Sequence, residues 1–215
     1  PGSPGSHKNY LAWPQMGRTL FVRSAHAKSI DANNRGVDPA RPLRTLAAAL
    51  TAARSNDVIY VGPGHTESVV TADGLNIAST KTNVRVIGLG NGCQRPKFTF
   101  ETLTTADFMV SGAGAYLANL WLHCNIDALA KMLAIAAADV LVQDLLISAA
   151  AGKQPVDAIS ATAAANDLTI ERVTASLLEA GQQSCILFGA CDNVQIRDCK
   201  IMGNFGTASG AAIKN

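Results

Sequence analysis

Three carboxylates, Asp144, Glu171 and Asp198, fall at related places in three similar segments, VLVQDLLI from Val140, LTIERVTA from Leu168 and VQIRDCKI from Val194. Two carboxyl groups held a few ångströms apart are what glycoside hydrolysis needs, one as acid and the other as base or nucleophile. When the segments are aligned, however, Asp144, Arg172 and Asp198 share one column, and Glu171 lies beside Arg197 in another. Opposite charges on neighbouring strands stabilise their pairing by about 0.2–1 kcal/mol, so a ladder is the expected role rather than a catalytic pair. His65 and Glu67, in GPGHTES, have the residue types of an acid/base pair, but a surface loop is their expected setting. The loop DANNRGVD, with Asp31, Asn33, Gly36 and Asp38, looks like a calcium loop without its closing Glu and reads as a turn-rich connection. Cys93, Cys124, Cys185, Cys191 and Cys199 are odd in number and lack paired metal-ligand spacing, so reduced, largely buried thiols are expected. No catalytic residue, metal site or cofactor is assigned.

The elements that hold these residues repeat. Val58-Ile59-Tyr60-Val61-Gly62, VRVIGLG from Val84, AYLANLWL from Ala115 and the three segments above align without gaps. Their first positions are 58, 84, 115, 140, 168 and 194, so the periods are 26, 31, 25, 28 and 26 residues, the range of a solenoid. The first, third, sixth and eighth columns are apolar, and the second and fourth carry Arg85, Thr169, Gln195, Gln143, Glu171 and Arg197. Alternation therefore holds on both sides of the fifth column, which is Gly62, Gly88, Asn119, Asp144, Arg172 and Asp198. Gly, Asn and Asp tolerate a left-handed backbone or bond it in a turn, which makes this column a structural corner between two short strands. Two strands and a corner per repeat, with further alternating pieces between, predict an all-β solenoid, a right-handed parallel β-helix.

Ahead of the first rung, PLRTLAAALTAARSND places Leu43, Leu46, Ala47, Leu50 and Ala53 at helical spacing, with Pro42 suited to a first turn and Asn56 to the stop. An amphipathic helix here caps the open end of the first rung, where unpaired strand edges would invite aggregation. The organisation expected is an extended N-terminal arm over 1–18, a strand, loop and capping helix over 19–57, and rungs over 58–215 with the C-terminal end uncapped. A chain that is 48% hydrophobic and 16% charged is not a disordered one, and a net charge of +2 gives no nucleic-acid footprint. Lys131 and Asp139 interrupt the longest apolar stretch, so no membrane span is expected, and the first residues show no signal-peptide core.

The outward columns hold one anomaly. Tyr116 and Leu141 stand one rung apart, as do Trp121 and Leu146, making an apolar patch on the outside of the rod. Patches of that kind usually mark an interface, here with another copy of the chain. Cover by the chain's own arm, through Tyr10, Leu11 and Trp13, ranks next, and sugar stacking third.

The run GVDPARPLRTLAAALTAARSNDVIYVGPGHTES, followed by VIGLGNGCQRPKFTF, resembles the N-terminal cap and first rungs of pectin-lyase-like β-helix proteins, closest to the subset that bacteriophages carry in the virion. Pectate lyases of this fold imply acidic calcium ligands with an arginine base, and the related glycoside hydrolases imply neighbouring aspartates and a Gly-His-Gly step; neither pattern is found. What the resemblance implies is a non-enzymatic virion protein, a homotrimer of side-by-side rods decorating or projecting from the capsid or tail. The arm over 1–18 would meet other virion proteins. The alternatives are a tailspike-like protein that binds or cleaves host polysaccharide and, last, a free polysaccharide lyase or glycoside hydrolase. Localisation in the virion, after synthesis in the host cytoplasm, belongs to the same expectation.

Overall fold

The computed structural model describes residues 17–178, 184–205 and 210–214. Most of the expected arm, and with it Tyr10, Leu11 and Trp13, lies outside the described residues. The chain enters through strand β1 (Thr19–Val22) and helix α1 (Leu46–Ala52), and then makes six rungs of three strands. The first is β2 (Val58–Val61), β3 (Thr66–Val69) and β4 (Leu75–Ile77); the second is β5 (Arg85–Gly88), β6 (Lys97–Phe100) and β7 (Phe108–Val110). The third is β8 (Tyr116–Ala118), β9 (Trp121–Cys124) and β10 (Leu129–Ile135); the fourth is β11 (Leu141–Gln143), β12 (Leu146–Ala149) and β13 (Pro155–Ala161). The fifth is β14 (Thr169–Glu171), β15 (Thr174–Leu177) and β16 (Ser184–Phe188), and the sixth β17 (Gln195–Arg197), β18 (Lys200–Gly203) and β19 (Ala211–Lys214). Equivalent strands stack in parallel into sheet A (β1-β2-β5-β8-β11-β14-β17), sheet B (β3 to β18) and sheet C (β4 to β19), and the molecule is a right-handed parallel β-helix.

The six segments aligned in the sequence are consecutive strands of sheet A. From the second rung onward their register is that of the alignment, with Val86 beside Leu117, Leu117 beside Val142 and Val142 beside Ile170. The first rung is shifted by one: Ile59, not Tyr60, pairs with Val86. A one-residue slip exchanges the two faces of a strand. Ile59 is accordingly buried at the core, and Tyr60, expected inside, lies outside and stacks on Phe21 with ring centroids 6.0 Å apart. Inside the rod, Phe98, Phe100 and Phe108 fill the second rung, while Leu120, Leu145 and Val173 occupy the inward column that follows the corner. Each such side chain contributes about 1.5–3 kcal/mol of gross burial, most of it offset by ordering the chain. Leu89, aligned with that column, is 39% exposed, because a long loop with a 3₁₀ turn over Gly92–Gln94 replaces the tight corner there.

Asn119, Asp144, Arg172 and Asp198 take left-handed φ angles of 56°, 54°, 53° and 51°. Each turns the chain from sheet A toward sheet B without breaking the ladder, since Asn119 N–H, Asp144 N–H and Arg172 N–H donate to the carbonyls of Gln143, Glu171 and Arg197 one rung on. Gly62 and Gly88 differ from the rest of the expected corner column, for neither has a left-handed φ. Gly88 is required by close approach: a Cβ there would lie 2.1 Å from the Asn119 carbonyl oxygen. A second left-handed row precedes sheet A and was not anticipated. It consists of Asn56, Asn83, Gly114, Asp139, Asp167 and Asn193, and it runs the length of the rungs. Its side chains stack too, Asn83 Nδ2 donating to Asn56 Oδ1 at 3.0 Å and Asn193 Nδ2 to Asp167 Oδ1 at 3.1 Å.

Helix α1 covers the first rung but is shorter than its apolar periodicity suggests. Thr45 is the N-cap, its side chain accepting from the Ala48 N–H, so Pro42 lies ahead of the first turn. Leu43 is extended instead, bridging Val22, with its N–H on the Phe21 carbonyl. The seven-residue helix has no acidic residue in its first turn and no basic residue in its last. The first rung supplies both. Glu67 accepts from the N–H groups of Leu46 and Ala47 at 2.5 and 3.1 Å, and Lys81 Nζ donates to the carbonyls of Leu50 and Thr51 at 2.5 and 2.9 Å. Both charges sit where the orphan backbone groups of the helix ends need them.

Candidate functional site

The outer face where sheet A turns into sheet B carries the expected patch, and pairing register brings its members together. Leu141 is beside Tyr116 on β11 and β8, and Leu146 beside Trp121 on β12 and β9. Leu141 is 8% exposed and so buried, whereas Tyr116, Trp121 and Leu146 are half-buried. Leu141 is therefore largely covered within the chain, and the accessible part of the patch is Tyr116, Trp121 and Leu146. Because the first rung is shifted, Tyr60 moves from the inner to the outer face, where it joins Ile87 of the outward fourth column and Phe21 of the strand before the rungs. Phe21, Tyr60 and Ile87 occupy one outer row of sheet A, in register across β1, β2 and β5. The sequence carries a sign of it in VIYVGPGH, where the turn after the strand is longer than the two-residue corners of the third to sixth rungs.

Polar ends in the patch are turned along the rod. Tyr116 Oη donates to Gln143 Oε1, Gln143 Nε2 donates to Glu171 Oε1 at 2.5 Å, and Arg172 Nη1 reaches the same oxygen at 2.9 Å. Arg172 also grips Asp144 through Nε and Nη2, at 2.8 and 3.1 Å, a bidentate pair that raises the guanidinium pKa. Burial, then the nearby Asp144, push the Tyr116 phenol upward, so its proton stays available to Gln143. On sheet B, Trp121 Nε1 donates to Ser148 Oγ at 2.7 Å, His123 Nδ1 lies 2.9 Å from the same hydroxyl, and Lys97 Nζ sits 4.5 Å from the indole centroid. Burial, aided by Lys97, lowers the His123 pKa and keeps the ring neutral near pH 7.

The carboxylates singled out for chemistry are thus joined to neighbours. Asp144 and Glu171 both belong to Arg172, while Asp198 is a corner residue. His65 and Glu67 do approach, Nε2 to Oε2 at 3.0 Å, but not on a surface loop: the ring is 0% exposed and the carboxylate is the helix cap described above. Asp31 also caps, accepting from the N–H groups of Arg44 and Thr45 and from the Thr45 hydroxyl. Among the described residues no group of three His, Cys, Asp or Glu side chains is placed to hold a metal ion, and no helix is long and apolar enough to cross a membrane. Burial pushes the thiols of Cys124 and Cys185 up to about 11 and about 12.

No protein-family model matches the chain, and no curated protein matches it. Among solved structures a rhamnogalacturonan lyase is similar, with 15% identity and a TM-score of 0.45 over 87% of this chain and 60% of the lyase chain. The chain therefore spans about 60% of that protein's length. Nothing about activity follows from a likeness at this level.

Proposed function

We propose that this protein is a structural β-helix of a bacteriophage virion, a rod that associates side by side with two further copies through the outer A–B face. The carrying observation is the set of large side chains on this outer face: the row of Phe21, Tyr60 and Ile87 across β1, β2 and β5, then, diagonal to Ile87 on the next rung, Tyr116 with Leu141, and past the corner Trp121 with Leu146. Trp and Tyr are the residues that most often anchor interfaces, and three equivalent contacts around an axis close without propagating into a fibre. The resemblance of residues 36–100 to phage-borne β-helices supplies the virion context. The committed carboxylates favour a scaffold over a glycosidase.

Light scattering on the purified chain tests this. The expected mass is that of a trimer, and the double variant Trp121→Glu, Leu146→Glu is expected to give folded monomers; a trimer mass unchanged by the substitutions sinks the assignment of the face. A second reading, binding of host surface polysaccharide, is favoured by one feature, the ring of Lys97, His123 and Ser148 about Trp121. Indole faces with hydrogen-bonding neighbours suit sugars. Retention of host glycan by the wild type and its loss in Trp121→Ala, with the mass unchanged, would select that reading.

A further inference from the structure

His65 is wholly buried, and both ring nitrogens are in use. Nδ1 faces the Ser24 N–H at 3.0 Å and must accept from it, because a backbone amide can only donate. Nε2 therefore carries the hydrogen, and it donates to Glu67 Oε2 at 3.0 Å. The same carboxylate holds the Leu46 and Ala47 N–H groups. One imidazole thus ties together the loop after β1, strand β3 and, through Glu67, the first turn of α1. The loop has a second tie beside it, the Thr66 N–H on Ser24 Oγ at 3.0 Å, which depends on Ser24 staying in place.

A proton reaching this ring has only Nδ1 to go to, and there it would set one N–H against another at Ser24. We propose that His65 is an acid-operated latch for the loop that begins at Ser24: neutral, it seats Ser24 on the first rung, and protonated, it releases that loop while Nε2–H stays on Glu67, the helix start stays capped and Leu43 stays on β1. The charged groups around it are few. Glu67 faces it from β3 at 3.0 Å. Arg44, beside α1, lines the same cleft as Glu67, and the Arg23 stem packs next to Gly62 in the turn before His65. Strand β6 contributes the apolar ring of Phe98 at 5.5 Å, and the neighbouring Lys97 is drawn onto Trp121. Release stays local because β1 remains paired with β2, Asp57 holds Arg18 at 2.9 Å, and Lys81 keeps the far end of the helix. Imidazole is the side chain that titrates in the mildly acidic range. This inference is independent of the association proposed above.

Hydrogen–deuterium exchange between about pH 8 and about pH 5, corrected for intrinsic rates, tests it on the full chain. Peptides covering 24–30 are expected to exchange about tenfold faster at the acidic end, and peptides from α1 and from the third to fifth rungs to stay protected. In His65→Gln, whose amide can still donate to Glu67 but does not titrate, the acid response should vanish. Persistence of the response in that variant would assign it to carboxylates and overturn the proposal, as would its absence in the wild type. Imidazole nitrogen shifts of the wild type give a check that needs no variant: the His65 ring must start as the Nε2–H tautomer and gain its proton as the peptides loosen. A ring that stays neutral throughout rules out the latch.

Discussion

Arg172 is the odd member of its left-handed row, a long side chain at φ 53° where the others are Asn or Asp. Left-handed backbone costs an ordinary residue roughly 1–2 kcal/mol, and a β-branched one more. The bidentate pair with Asp144 and the bond to Glu171 offset part of that, although pairs this exposed contribute at most about 1 kcal/mol. Arg172→Gly should therefore leave stability nearly unchanged, since relief of the backbone balances loss of the ion pair, while Arg172→Val should lower it by about 2–3 kcal/mol. Urea denaturation of both variants checks the contrast, and equal losses would mean that the salt bridge rather than the backbone governs the position. The residue types here were legible in the sequence because Asn and Asp advertise such a backbone. Arg does not, and its place was readable only from the column it shares with Asp144 and Asp198.

Legibility at the level of elements follows corner length. In the third to sixth rungs two residues join sheet A to sheet B, as with Asn119-Leu120 and Asp144-Leu145, so columns drawn from the sequence are also columns in space. In the first rung Gly62-Pro63-Gly64-His65 intervenes and the register differs by one residue, and in the second the eight residues 89–96 intervene, so that the sheet A register holds but the column after the corner is lost at exposed Leu89. The row from Asn56 to Asn193 was just as visible as the first, but it lies before the apolar segments that anchored the alignment. The capping of α1 by Glu67 and Lys81 could not be read at all, because the partners are 20 to 31 residues apart and no local pattern links them. Substitution measures what that tertiary capping contributes. Glu67→Ala strips a cap and leaves a buried His65 N–H unpaired, a loss of roughly 2–4 kcal/mol. Asp31→Ala, at an exposed cap of the same helix, should cost about 1 kcal/mol. Thermal melts in which the two variants fall equally would show that burial of the network matters less than the cap itself.

For the whole molecule the rungs behave as a stack in which each is held by its neighbours. Inward side chains are sealed through the fifth rung, with Ile170, Val173 and Ala175 at 0% exposure, whereas Ile196, Cys199 and Ile201 of the sixth are only partly buried. Opening should accordingly run from the sixth rung inward, and the cysteines report it. In native buffer at about pH 8 an alkylating reagent should modify exposed Cys93 first, since burial keeps Cys124 and Cys185 protonated far above that pH. Under rising denaturant, pulsed labelling should reach Cys185 in the fifth rung before Cys124 in the third; simultaneous labelling would instead mean that the rod melts as one unit. The two-residue corner has a last consequence, for how such a rod can change over generations. An insertion at Asn119, Asp144, Arg172 or Asp198 would break the two-residue corner that four successive rungs share, whereas the B-to-C connections of neighbouring rungs already differ, from Asn125–Ala128 to Glu101–Asp107, with the strands on either side still in register. Over the third to sixth rungs the A–B edge is thus uniform and the B–C edge variable, so novelty can be grafted along a single line while the A–B face of those rungs keeps its shape.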